Sequence, residues 1–265
     1  MNNINSTGVF SATKKDGTLY YRASITYKGR HISLGSFDTE ADAANAYKEG
    51  RLLLDKNDIC INDYDVSKHY LKFEKWICLI NFRDTGMYFK NPIYMHKNYF
   101  DYYYDKNTIY KFDVDDLFFY SHHKIMKRNN HLFVADYGMQ TNILSRYGIH
   151  SHSVPGRDYI FINGDETDFR YKNIQVINRY KGVFMNIKEG RNVYTAKIHI
   201  NGDYIIGRYS SEAEAAIAYN KTVDILAVKN VPIRYEKNYV EELNPIEYAS
   251  TYNMVKISKR ILNYQ

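Results

Sequence analysis

The sequence predicts an α+β chain in which a small three-stranded antiparallel sheet, followed by one helix, stands at each end of a less regular centre. Three observations predict it. A stretch near the start recurs near the end; within each copy the apolar pattern changes from alternation to a helical period; and a helix-capping signal sits at that change. At 265 residues the chain is also long enough for two or more packed units.

The first copy reads Gly8-Val9-Phe10, Tyr21-Arg22-Ala23-Ser24-Ile25, Gly29, Leu34-Gly35-Ser36-Phe37, then Glu40, Ala43, Ala44, Ala46 and Tyr47. The second reads Gly182-Val183-Phe184, Tyr194-Thr195-Ala196-Lys197-Ile198, Gly202, Ile206-Gly207-Arg208-Tyr209, then Glu212, Ala215, Ala216, Ala218 and Tyr219. Tyr21, Ala23 and Ile25 alternate with Arg22, Ser24 and Thr26, and Tyr194, Ala196 and Ile198 with Thr195, Lys197 and His199. One face of each sheet is therefore expected to bury against the helix and the other to stay polar. Lys28-Gly29 and Asn201-Gly202 fall between strand patterns, where a tight hairpin needs a residue that accepts positive φ. Asp38 or Thr39, and Ser210 or Ser211, are placed to cap helices with acidic first turns. The alanines let each helix approach its sheet closely.

Between the copies, residues 57–111 form a tyrosine-rich segment with no assignment. Trp76 to Phe82 reads there as a buried strand, and Asp113, Asp115 and Asp116 as a solvated turn or helix start. The chain divides as 1–56, 57–111, 112–179, 180–232 and 233–265. The last part is a helical tail opening at Asn244-Pro245-Ile246-Glu247, with Ile246, Met254, Ile257 and Ile261 on one stripe and Lys256, Lys259 and Arg260 on another.

The formal charge is +6, compatible with a polyanionic partner. No apolar run is long enough to cross a bilayer, and Met1 to Phe10 lack a charged-then-apolar leader, so a cytoplasmic, nucleoid-associated protein is expected without a membrane partner. Cys60 and Cys78 are the only cysteines and form no CxxC pair, which argues against a disulfide framework or thiolate zinc site. The 28 tyrosines are expected to fill cores and cover surfaces. His122, His123, His131, His150 and His152 have no carboxylate at a recognisable ligand spacing, so no metal and no cofactor is expected.

On these residues both copies resemble AP2-type DNA-binding domains, from about Thr7 to Leu54 and Tyr180 to Leu226. That family lays its sheet in the major groove of double-stranded DNA. The resemblance makes the outward strand residues candidate readers: Arg22, Ser24, Thr26, His31 and Ser33, then Thr195, Lys197, His199 and Tyr204. The family's first-strand arginines correspond to Phe10 and Ala12 here, and to Phe184 and Asn186, while its tryptophans are absent. Lys14, Lys15, Lys181, Lys188 and Arg191 are expected to supply phosphate contacts, which position a protein without reading sequence.

From Phe112 onwards the chain resembles HNH homing-type endonucleases, which in phages are commonly fused to AP2 domains. The likeness lies in Val154-Pro155-Gly156, Ile162-Asn163-Gly164-Asp165, Asp168, Arg170 and Asn173-Ile174. It implies a ββα-type centre without its chemistry. Ser145 stands for the histidine of an LHR element, Ile160 and Phe161 for an Asp-His pair, and Phe169 for an asparagine. Ile and Phe neither accept a proton nor bind a metal, so the general base and most of the metal shell are missing together. Asn163, Gly164, Asp165 and Arg170 then read as turn and packing residues, Arg170 and Lys172 also as candidate phosphate contacts, and the cleft as apolar and filled.

The expected function is sequence-selective binding of duplex DNA by a pseudonuclease that regulates transcription or a mobile element. The alternatives are an HNH-like nicking endonuclease with an unusual site, or an inhibitor or adaptor that engages a protein through the sheets or the filled cleft.

Overall fold

Alternation in the first repeat folds into strands and its alanine-rich run into a helix. The computed structural model describes residues 4–6, 8–232 and 234–264. Met1 to Asn3, Thr7, Ile233 and Gln265 lie outside them, including the start of the first repeat and of the tail. The described chain is mixed α+β, with several small three-stranded antiparallel sheets and six helices, and divides into two compact units: Met1–Thr141 with Asp165–Asn173, and Asn142–Gly164 with Ile174–Gln265.

In the first unit β1 (Ile4–Ser6), β2 (Val9–Thr13), β3 (Leu19–Tyr27) and β4 (Arg30–Phe37) pair antiparallel in that order. The extra edge strand β1 makes this sheet four-stranded rather than three. Helix α1 (Glu40–Asp55) packs across it, capped by Thr39, whose hydroxyl accepts the Asp42 N–H at 3.1 Å. Val9, Ala23, Ile25, Ile32 and Leu34 meet Ala43, Ala46, Leu53 and Leu54 in one core. At the β3–β4 turn Lys28 and Gly29 both have positive φ, as a two-residue hairpin requires. Gly8, at φ +80°, is pressed so closely on Tyr47 that a Cβ there would lie 2.2 Å from the ring. The Gly-Val-Phe element and the helix tyrosine are thus two halves of one contact.

The expected strand at Trp76 to Phe82 is instead part of helix α2 (Phe73–Thr85). Its residues from Trp76 to Arg83 are all buried, so the helix carries no polar stripe and no period distinguishes it from a strand. A small antiparallel sheet follows, of β5 (Ile93–Met95), β6 (Tyr99–Tyr103) and β7 (Ile109–Asp113), then the short α3 (Leu117–His122). Phe100, Tyr102, Tyr110, Phe112, Tyr120 and Phe169 are buried here, with Phe112 and Phe169 stacked at 5.4 Å. Of the three aspartates expected to be solvated, Asp116 is buried, and Asp113 accepts the Tyr171 N–H at 2.7 Å. A three-stranded ribbon of β8 (Ile125–Arg128), β9 (His131–Asp136) and β10 (Met139–Asn142) completes the strands of this stretch.

In the second unit β11 (Tyr159–Phe161) pairs with β12 (Ile174–Val176). The second repeat forms β13 (Val183–Lys188), β14 (Arg191–His199) and β15 (Asp203–Tyr209), a three-stranded antiparallel sheet under α4 (Glu212–Val228). Ser211, not Ser210, is the cap, in a reciprocal capping box with Glu214. Gly182 repeats the role of Gly8 against Tyr219. The Asn201-Gly202 turn departs from expectation. Neither residue has positive φ, and with His199 paired to Asp203 the loop is three residues long rather than two.

The tail forms α5 (Pro245–Met254) and α6 (Lys259–Leu262). Asn244 caps α5 as read from the sequence, but the expected apolar stripe packs only at its far end, through Ile257 and Ile261, while Ile246 is 82% and Met254 70% exposed. Tyr248 and Tyr252 face the core instead, and only Ile261 of the stripe is fully buried. The helix stops at Met254, so no single helical period joins Ile246 to Ile261.

Candidate nucleic-acid interface

Burying one face of each repeat sheet under a helix leaves the opposite face free, and strand register decides which side chains stand on it. In the first sheet Arg22 lies between Phe10 and Ser36, Ser24 opposite Ser33, and Thr26 opposite His31. The register slips by one residue between Ala23 and Ser24, so that Leu34 stays in the core while Ser33 faces outward. Phe10, Ala12, Arg22, Ser24, His31 and Ser33 line a depression of about 300 Å³ on this face. Arg22, Thr26 and His31 are exposed, but Ser24 is only 9% exposed, set down by the slip. The Thr26 hydroxyl lies 3.4 Å from His31 Nδ1.

In the second sheet Thr195 lies between Phe184 and Arg208, Lys197 opposite Ile205, and His199 opposite Asp203, with the same slip between Ala196 and Lys197. Thr195 is buried, and His199 Nδ1 lies 2.8 Å from Asp203 Oδ1. The Phe184 ring carries two cations, Lys197 at 5.2 Å and Arg157 at 5.1 Å. Arg157 also binds Asp158 through two hydrogen bonds of 2.6 and 3.0 Å. Burial alone would raise the Asp158 carboxyl, but Arg157, the Val154 N–H and the Asn178 amide hold it below its ordinary value. The cation over Phe184 is thereby fixed in place by a buried anion.

Two of the residues expected to contact DNA stand elsewhere. Tyr204 is opposite Ile198 on the core-facing side, packed beside Tyr264 and beneath Arg260. Its hydroxyl makes it read as polar, whereas its parity with Ile206 assigns it to the core. Arg170 grips buried Asp168 with both arms, at 2.7 and 2.5 Å, and lies over the Tyr99 ring. Its guanidinium is an internal strut rather than a free phosphate contact. Sequence reading passes over Ser36, Arg208 and Arg157; the first two follow from strand pairing, and Arg157 lies far from the repeat strands in sequence.

The phosphate-contact candidates are peripheral. Lys14 and Lys15 are exposed in the β2–β3 turn, where the Lys14 N–H bonds Thr18 O at 2.9 Å. Lys188 and Arg191 face each other across the β13–β14 tip, and Lys172 is exposed on a 3₁₀ turn. Lys181 is half-buried, 4.0 Å from Glu236.

The residues that the HNH resemblance sets in catalytic places hold structural positions. Ser145 caps back to Asn142 O, Ile160 and Phe161 are half-buried on β11, and Phe169 is buried among Tyr110 and Phe112. Among the described residues no three His, Cys, Asp or Glu side chains are placed to hold a metal. Asn163 and Gly164 are exposed beside the turn in which Gly164 N–H bonds Phe161 O, whereas Asp165 accepts from Thr167 at 2.6 Å and from Lys111 at 3.4 Å. No helix among the described residues is long and apolar enough to cross a membrane.

Comparison of the chain with protein-family models, with curated proteins and with solved structures finds no match.

Proposed function

We propose that this chain binds double-stranded DNA through the free faces of its two repeat sheets, in the manner of AP2-type domains, around an HNH-like centre that has no nuclease chemistry. The repeated geometry carries the reading: twice, a helix covers one sheet face while the other presents a cation on the middle strand, Arg22 and Lys197. Antiparallel strands can enter the major groove, and outward basic and hydroxyl side chains match base edges and phosphates. Occupancy of a target site would then regulate transcription or a mobile element.

Selecting bound fragments from a random duplex pool and measuring their affinity against salt tests the proposal. Arg22→Ala and Lys197→Ala should each cost about 1–3 kcal/mol and relax preference at one position. Lys14→Ala should weaken all duplexes alike and reduce the salt slope by about one. Absence of salt-sensitive binding would overturn the DNA reading. Chelator-sensitive cleavage of supercoiled plasmid would overturn the loss of nuclease chemistry.

A further inference from the structure

The outer faces of α1 and α4 occupy equivalent places in the two repeats, since Thr39 and Ser211 are the respective caps. On that alignment Asn45, Lys48, Glu49 and Leu52 match Ile217, Asn220, Lys221 and Asp224. The second repeat fills this face with two tyrosine rings from α5. The Tyr248 hydroxyl meets the Asn220 amide at 3.0 Å, and the Tyr252 hydroxyl donates to Asp224 at 2.9 Å. The first repeat leaves it open. A cavity of about 610 Å³ lies between α1 and the segment from Ile59 to Trp76, with Leu52, Leu53, Ile59 and Trp76 as its apolar lining.

The charges around this cavity are largely committed. Glu49 accepts from the Tyr70 and Leu71 N–H groups and from His69, Asp63 accepts the Cys60 N–H at 2.7 Å, and Lys68 pairs with Asp65 at 2.9 Å. Lys48 lines the rim without an ion-pair or hydrogen-bond partner among the described residues. Where Asn220 meets a neutral phenol, this repeat offers an ammonium group. We propose that the cavity binds a small aromatic acid, its ring against Leu52, Ile59 and Tyr70 above the buried Trp76 and its carboxylate on Lys48. The volume suits a ligand of that class, and the inference is independent of the DNA-binding reading.

Trp76 is the only tryptophan, so its indole N–H gives one identifiable signal in a ¹H–¹⁵N spectrum of the full chain. Titration with 2-naphthoate should shift that signal saturably, with a dissociation constant below about 1 mM. Lys48→Gln should weaken 2-naphthoate about tenfold while leaving the neutral 2-naphthamide unchanged. Leu52→Trp, at a half-exposed rim position, should fill the cavity and abolish both, with its thermal unfolding checked against the parent. No saturable shift, or a shift that survives Leu52→Trp in a folded protein, overturns the site. Equal affinity for acid and amide overturns the carboxylate contact. A synthetic peptide of residues 244–255 that binds more tightly than 2-naphthoate would overturn the small ligand in favour of a docked helix.

Discussion

The two repeats share a sheet and a helix but fasten their next helix by opposite electrostatics from one position. Glu49 on α1 accepts the Tyr70 and Leu71 N–H groups at 3.0 and 2.9 Å, just ahead of α2. Lys221, at the same place on α4, donates to the carbonyls of Tyr252, Asn253 and Val255 at 2.7, 3.3 and 3.1 Å, at the end of α5. A helix start leaves N–H groups unpaired and a helix end leaves carbonyls unpaired, with dipole charges to match. Tyr252 and Asn253 carry such end carbonyls, whereas Tyr70 and Leu71 precede the Lys72 cap, so Glu49 holds the segment that leads into α2. One helix position holds backbone donors or acceptors according to the sign of its charge. The surroundings of the repeats differ, while the contacts that define them, such as Gly8 on Tyr47 and Gly182 on Tyr219, are the same.

Charge reversal breaks this comparison most severely. Glu49→Lys should place an ammonium group against two N–H donors, and Lys221→Glu a carboxylate against three carbonyls, each costing about 3–5 kcal/mol in denaturant unfolding. Equal stability in either variant would show that these backbone groups find other partners. The shared contact comes next. Gly8→Ala and Gly182→Ala combine positive φ with ring overlap, and each should cost about 2–4 kcal/mol; an effect confined to one repeat would end the equivalence. Neutral substitutions sharpen the picture: Lys221→Met should cost about 2 kcal/mol and Glu49→Gln about 1, since the amide keeps one acceptor.

The smallest effect concerns pH. His152 is stacked on His150 at 5.4 Å, and burial, with the charges of His150 and Lys181 adding to it, pushes its ionisation below the ordinary value of 6.5. The unfolded chain therefore binds the proton more readily than the folded one. Its contribution to stability is present above pH 6.5 and falls away as the medium is acidified through the folded value. His152→Gln should flatten that part of the stability profile, and an unchanged profile would assign the acid sensitivity to other groups.

How much is legible varies with the kind of signal. Alternation and capping place α1, α4 and the start of α5 correctly, because those signals are local. Trp76 to Phe82 misleads because a helix buried all round has no amphipathic period. Tyr204 misleads because its hydroxyl outweighs strand parity, and Ile246 and Met254 because the helix ends before the stripe does. Arg170 is recognisable as a cation, but only folding brings it against Asp168 and Tyr99.

The sequence by itself determined the repeat, its order of strands and helix, and the capping residues, since each depends on neighbours within a few positions. It also determined that Ile160, Phe161 and Phe169, which the HNH resemblance sets in catalytic places, are apolar. Only the tertiary structure decided the one-residue slips that keep Leu34 and Ile206 in their cores, the Arg157 and Lys197 pair over Phe184, and the opposite anchoring by Glu49 and Lys221. Those contacts join residues many positions apart, and a pattern read along the chain does not say which distant backbone group or ring a side chain will meet.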